Sequence, residues 1–386
     1  MTSSPLLVGN VFANAARATP DRVAASLGEA SLSFGRLDRR AHQVARALGA
    51  LGIGHGDRVA LWCRTTLDAV PLFAAVSTIG APFAPVNGAL TPDEAAEMAA
   101  AARPSLLLTE GDLADSAPTI ADRLGVPWFH IDGLAADPTD RELRAGSPPG
   151  PADDHALAAL ADAEPDDALD PAITDAVGED DAHVVFFTSG STGRSKGVVL
   201  SHRVNHLRTH PGALLEPRGP MVCPYPLFHM GAWTIALQQW QARDTVVFPT
   251  DTGPDALCAA VADHGATRLN AVPALWRRIL DHLDATSEAH GALDSLRFAD
   301  TGTSATPVEL LDAIAAAAPN AHLRVFYGST EAGSVAMLDH EDIAARPGSC
   351  GLPAPSAEIC LAESGELLVR GPLVFDHYDD DPEATA

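Results

Sequence analysis

The stretch from His183 to His202 constrains this chain more than any other. Val184 to Phe187 form an uncharged, β-branched and aromatic run of the kind found in buried strands, and Gly197 to Leu200 resume that pattern. The ten residues Thr188 to Gly197 between them are polar. They carry the hydroxyls of Thr188, Ser189, Ser191 and Thr192, the glycines Gly190 and Gly193, and Lys196.

Such a loop is chemically a phosphate cradle. Glycines let successive N–H groups point into one concavity, and hydroxyls and an ammonium add donors to the same anion. A P-loop is excluded, because Ser195 follows Gly190 at the wrong place and Lys196 runs into Gly197 and a strand-like Val-Val-Leu rather than a helix. No G-x-G-x-x-G follows a strand, which excludes the dinucleotide fingerprint as well. Of the 25 basic residues 24 are Arg, so Lys196 is the single lysine. A compact, rotatable charge in an Arg-biased chain points to a chemical requirement at that place. Ser/Thr/Gly loops also occur as plain solvated turns.

Composition bounds the partners. With 386 residues and 46% hydrophobic content the chain buries a sizeable core and exceeds one typical domain. A net charge of −26 argues against nucleic acid and anionic membranes, and requires any site for an anion to be locally positive or metal-screened. Cys63, Cys223, Cys258, Cys350 and Cys360 show no C-x-x-C and read as reduced core thiols of a cytoplasmic protein. The N-terminus has no signal-peptide pattern. Uncharged residues Ala69 to Leu90 are punctuated by Pro71, Gly80, Pro82, Pro85 and Gly88, which predicts a soluble helix followed by a strand rather than a membrane span.

From Val11 to Glu110 helix-like and strand-like pieces alternate: a helix near Phe12 to Ala16, a strand at Ser31, a helix over Leu37 to Leu51 and a strand over Val59 to Cys63. That alternation predicts an α/β sheet. Residues 145–181, rich in Pro, Ala and acid, read as a mobile surface connection.

Three later stretches carry chemistry. In Tyr225 to Trp233 an aromatic pair flanks His229, Met230 and Gly231, the pattern of a helix start with open space beside an imidazole, although a lone His in an apolar run is most often a core residue. Asn270 and the small residues Gly302, Thr303 and Ser304 follow helix-like segments and allow a flat ring or thin chain to approach the backbone. Leu323 to Glu331 form a short strand ending in Tyr-Gly-Ser-Thr-Glu. There Tyr327 offers a face for a base, Thr330 a hydroxyl for phosphate, and Glu331 a hard oxygen ligand for Mg²⁺.

Taken together, Thr-Ser-Gly-Ser-Thr-Gly-Arg-Ser-Lys-Gly-Val at Thr188 and Tyr-Gly-Ser-Thr-Glu at Tyr327 resemble the signature motifs of the adenylate-forming enzymes, which include acyl-CoA and aryl-CoA synthetases, peptide-synthetase adenylation domains and luciferases. Ser195 stands where the family usually has Pro. Further phrases agree: Pro-Asp-Arg at Pro20, Gly-Asp-Arg-Val-Ala at Gly56, Gly-Ala-Pro-Phe-Ala-Pro-Val-Asn at Gly80, and Tyr-x-x-x-Pro-Glu-x-Thr at Tyr378.

The resemblance implies an α/β fold of layered α/β/α sublobes with mainly parallel sheets and a small distorted antiparallel β-barrel. Residues 1–150 would form the first sublobe, 151–182 an acidic connection, 183–340 the second sublobe with the nucleotide site, and 341–386 part of the barrel. The family's C-terminal lid domain, with its catalytic lysine, is expected to be absent. Lys196, His229, Thr330 and Glu331 would be catalytic. Thr188, Ser189, Gly190, Ser191, Thr192, Gly193, Gly302, Thr303, Ser304, Tyr327 and Gly328 would bind nucleotide, Glu331 would hold the metal, and His229, Met230, Gly231, Trp233 and Asn270 would line the acid pocket. The implied reaction uses ATP and Mg²⁺ to make an acyl-adenylate from a carboxylic acid, which then passes to CoA or the phosphopantetheine of an acyl carrier protein. Amino-acid-activating members have Asp where this chain has His229, so a non-amino aryl or medium acyl acid is expected. A member activating something other than a carboxylate, and a non-catalytic ATP-binding module, are the alternatives.

Overall fold

A computed structural model describes residues 5–136, 154–188, 195–210, 218–286 and 291–385. Two large sheets organise them, with strands numbered in chain order. The first has seven strands in the order β18 (His377–Tyr378), β8 (Lys196–Ser201), β7 (Ala182–Thr188), β4 (Phe83–Asn87), β3 (Val59–Cys63), β5 (Leu106–Thr109), β6 (Trp128–His130). The second has nine: β15 (Leu352–Pro353), β14 (Gly333–Leu338), β13 (His322–Ser329), β12 (Phe298–Gly302), β11 (Arg268–Asn270), β9 (Met221–Val222), β10 (Val246–Phe248), β1 (Val23–Leu27), β2 (Ala30–Ser33). Their centres pair in parallel, as in β3–β4 and β12–β13, and three of their four edges carry antiparallel pairs, as in β7–β8 and β13–β14, while β6 pairs in parallel with β5. The expected mixed, mainly parallel α/β class is therefore present.

Sheet membership crosses the expected sublobe boundaries. β1 and β2 lie before residue 150 yet close one edge of the nine-stranded sheet, while β7 and β8 lie after residue 182 yet belong to the seven-stranded one. Nor do the described residues close a barrel at 341–386. β16 (Glu358–Leu361) and β17 (Leu367–Arg370) make a separate exposed hairpin, and β15 and β18 extend the two large sheets. After β18, Pro382 opens a short helix, Pro382–Thr385.

The uncharged stretch at Ala69 folds as expected. Helix Ala69–Ile79 is almost wholly buried, keeps Pro71 in its first turn and ends on Gly80 at φ 69°, and β4 follows. No helix among the described residues is long and apolar enough to cross a membrane. Phe73 of this helix stacks on Trp233 at 4.2 Å between ring centroids, and Phe12, Phe83 and Trp240 complete the aromatic centre of the core. Of the thiols, Cys63, Cys223 and Cys258 are buried as expected, but Cys350, ahead of β15, and Cys360 of the exposed β16–β17 hairpin are exposed.

The acidic connection is docked rather than loose over its described part. Leu157, Ala158 and Ala161 of helix Leu157–Asp162 are buried. Arg40 donates to Asp162 at 2.7 Å, and Arg46 to Asp167 at 2.8 Å. The acidic residues that suggested solvation instead meet guanidiniums of helix Phe34–Ala50, more than a hundred residues earlier. Residues 145–153 lie outside the described residues.

Candidate active site

Two walls, one from each sheet, carry the motif residues. On the first, β7 ends at Thr188 and β8 starts at Lys196, directly opposite it in the antiparallel register. Ser195 Oγ donates to the Thr188 carbonyl at 3.0 Å, closing the base of the loop with a hydrogen bond that the usual proline could not make. Ser189, Gly190, Ser191, Thr192 and Gly193 lie outside the described residues.

The second wall is built from β12 and β13. Gly302 pairs with Phe326, and a Cβ at Gly302 would sit 2.2 Å from the Phe326 carbonyl oxygen, so only glycine fits there. Thr303 follows at φ 66°, a left-handed conformation that side-chain-bearing residues rarely adopt and that often marks a functional turn. It and Ser304 are exposed. On the neighbouring strand Tyr327 is 44% exposed, leaving its ring face accessible. Gly328 sits at a bulge where a Cβ would lie 2.1 Å from the Gly333 carbonyl oxygen.

The walls meet at Tyr378. Its hydroxyl donates to Glu331 Oε1 at 2.9 Å, and Lys196 Nζ lies 4.7 Å from its ring centroid. Lys196 Nζ is also 4.0 Å from Asp381 Oδ2. Nearby, buried Arg208 holds the turn after β13, its Nη1 donating to the Thr330 carbonyl at 2.7 Å and its Nη2 to the Glu331 carbonyl at 2.5 Å, while Nε donates to the Leu373 carbonyl at 2.6 Å. Burial lowers the pKa of its guanidinium to about 10, still fully charged at neutral pH.

A third group surrounds His229. It caps helix Met230–Gln241, with Nδ1 accepting from the Gly231 N–H at 3.0 Å. The residue is exposed, yet desolvation by the protein around it lowers the pKa of its ring, keeping the imidazole neutral. Tyr225 stacks on it at 6.1 Å and donates to Asn270 Oδ1 at 2.7 Å. Thr234 Oγ1 donates to Met230 Sδ at 2.9 Å. Trp233, expected in the acid pocket, is 1% exposed and belongs to the aromatic core instead, stacked on Phe73, whereas His229 is the extended N-cap outside the helical register.

Sequence reasoning missed Arg208, Tyr378 as a site residue, and the buried pair Asp300–Arg324 that joins β12 to β13. A charge inside each of two otherwise apolar strands was the available signal for that pair.

Among the described residues no group of three or more His, Cys, Asp or Glu could hold a metal ion. Glu331 offers one carboxylate, with one oxygen already taken by Tyr378. That donor set suits a cation that arrives with phosphate oxygens and not a cage made by protein alone.

These two walls and the motifs on them define an AMP-forming acid–thiol ligase. The AMP-binding enzyme family matches residues 12–379, and the chain belongs to that family. A 3-[(3aS,4S,7aS)-7a-methyl-1,5-dioxo-octahydro-1H-inden-4-yl]propanoyl:CoA ligase of Rhodococcus jostii is 30% identical, covering 100% of this chain and 75% of the relative. A feruloyl-CoA synthase of an Amycolatopsis species is 30% identical over 96% of this chain and 71% of the relative. The rice protein 4-coumarate–CoA ligase 3 is 28% identical over 95% and 66%. In fold, ATP-bound MatB of Rhodopseudomonas palustris superposes with a TM-score of 0.79 at 25% identity, covering 98% of this chain and 73% of that one. The N-terminal domain of FACL13 from Mycobacterium tuberculosis gives 0.82 at 22% identity, covering 98% and 92%.

Proposed function

We propose that this chain binds ATP with Mg²⁺ between the β7–β8 and β12–β13 walls and activates a non-amino acid, aryl or medium acyl, for transfer to CoA. The observation that carries this reading is the convergence of Lys196, at the start of β8, and Glu331, in the turn after β13, on Tyr378, one at its ring and the other at its hydroxyl. A carboxylate attacking a triphosphate brings two anions together, so a cationic donor from one wall and a carboxylate-held cation from the other offset their repulsion. The carboxylate oxygen bonds to the α-phosphorus as pyrophosphate leaves with the electron pair. A thiolate sulfur then attacks the acyl carbon and AMP departs. Glu331 would hold Mg²⁺, which supplies charge neutralisation on the phosphates; Lys196 and Thr330 would donate to phosphate oxygens, and Tyr327 would face the base. The hydroxyls and amides of residues 188–193 would cradle the same phosphates.

The acid would lie against His229, Gly231 and Asn270. A neutral imidazole offers no counter-charge to an α-ammonium, which disfavours amino acids. The names of the relatives above, ligases for ferulate, coumarate and a bicyclic propanoate, support a ring-bearing substrate. They also support CoA as the acceptor over a carrier protein.

Carboxylate-dependent ATP–pyrophosphate exchange across hydroxycinnamates, benzoates, medium-chain acids and amino acids tests the proposal. Exchange with an aryl or medium acyl acid and none with amino acids is expected. Exchange that an amino acid alone supports would overturn the substrate assignment.

A further inference from the structure

Tyr378 touches both walls with one side chain, and its own position is fixed from several directions. Backbone pairing sets it opposite Val198 of β8, two residues beyond Lys196. Its N–H donates to Thr385 Oγ1 at 3.0 Å, and its ring packs edge-on against Phe375 with centroids 4.6 Å apart. From that seat the hydroxyl reaches Glu331 Oε1 and the ring face receives Lys196. An ordinary phenol keeps its proton at neutral pH, so the hydroxyl acts as a donor.

We propose that Tyr378 is a positioning residue for both charged groups of the site: its hydroxyl fixes one oxygen of Glu331 so that the other faces a cation, and its ring holds the Lys196 ammonium beside the phosphates. This rests on the Mg·ATP reading above. The two roles separate by chemistry. Phenylalanine keeps the ring, the Lys196 contact and the strand pairing but loses the hydrogen bond to Glu331; leucine loses both.

The test uses Mn²⁺ as a paramagnetic probe, titrated by electron paramagnetic resonance in the presence of ATP, together with calorimetric ATP affinity at saturating metal. Tyr378→Phe should raise the Mn²⁺ concentration for half-saturation about tenfold, the effect of one lost hydrogen bond to a charged group, with ATP affinity at saturating metal retained. Tyr378→Leu should weaken both, whereas a merely structural role would shift the two together in Tyr378→Phe. Glu331→Gln is the control. Should Glu331→Gln shift the Mn²⁺ titration while Tyr378→Phe matches the parent, the positioning role is overturned and the Mg·ATP reading stands. Should Glu331→Gln have no effect either, both fall.

Discussion

The two walls of the site are anchored by opposite means. Beneath the β7–β8 wall lies an uncharged network. Asn205 donates to His183 Nδ1 at 2.9 Å, which leaves His183 Nε2–H to donate to Ser77 Oγ at 2.8 Å, and Ser77 in turn donates to the Phe73 carbonyl at 2.6 Å. His202, at the start of the helix after β8, accepts from the Val8 N–H at 3.3 Å and lies 4.6 Å from His183. Beneath the β12–β13 wall lies an ion pair instead. Arg324 grips Asp300 with two hydrogen bonds of 2.8 Å, both residues being 3% exposed. Each arrangement pairs buried polar groups under a loop, although His202 Nε2 finds no partner among the described residues, and they fail differently. A buried pair is brittle to loss of one partner, and a neutral imidazole network is brittle to acid.

The largest effect should come from breaking the pair. Asp300→Ala leaves the buried Arg324 without its carboxylate, which should cost about 3 to 5 kcal/mol in urea unfolding, while replacing both residues by apolar ones of similar size should cost far less. An Asp300→Ala midpoint close to the parent's would erase the contrast between the walls.

Acid should expose the other wall. Burial lowers the pKa of His183 well below the ordinary value and that of His202 to about 4. The unfolded chain takes up these protons near pH 6.5 and the folded chain resists them, so stability is lost as pH falls from about 6.5 towards 4, by roughly 3 kcal/mol for His202. His202→Gln should flatten that part of the stability profile; an unchanged profile would count against the imidazole network.

Lys196→Ala separates chemistry from anchoring. It should cost about 1.5 to 3 kcal/mol in nucleotide binding or in the barrier, yet leave the urea midpoint within about 0.5 kcal/mol of the parent because it touches neither anchor. Smallest of all, Leu361→Ser on the exposed β16–β17 hairpin should change stability by no more than about 0.5 kcal/mol. A larger loss would mean that this hairpin supports the second wall.

Local pattern revealed much of this architecture. β7, β8 and β13 were legible because an apolar run ending in Gly, Ser and Thr is a local signal, and β3 and the helix at Ala69 because their boundaries are marked by glycine and proline. The helix start after His229 was legible for the same reason. What escaped depends on partners distant in sequence. Arg208 finds carbonyls more than 120 residues away, and Tyr378 pairs with a strand some 180 residues earlier. The acidity of residues 154–181 looked solvated only because Arg40 and Arg46 were out of view. Trp233 was misplaced because its partner, Phe73, lies 160 residues earlier, and proximity to His229 in sequence does not reveal it.

Calorimetric titration of Mg·ATP into the parent, Lys196→Ala and Glu331→Gln proteins tests the central claim that two walls from different sheets serve one nucleotide. Each substitution should weaken binding at least about tenfold while the urea midpoints stay together. Parent-like affinity in both variants would contradict the site.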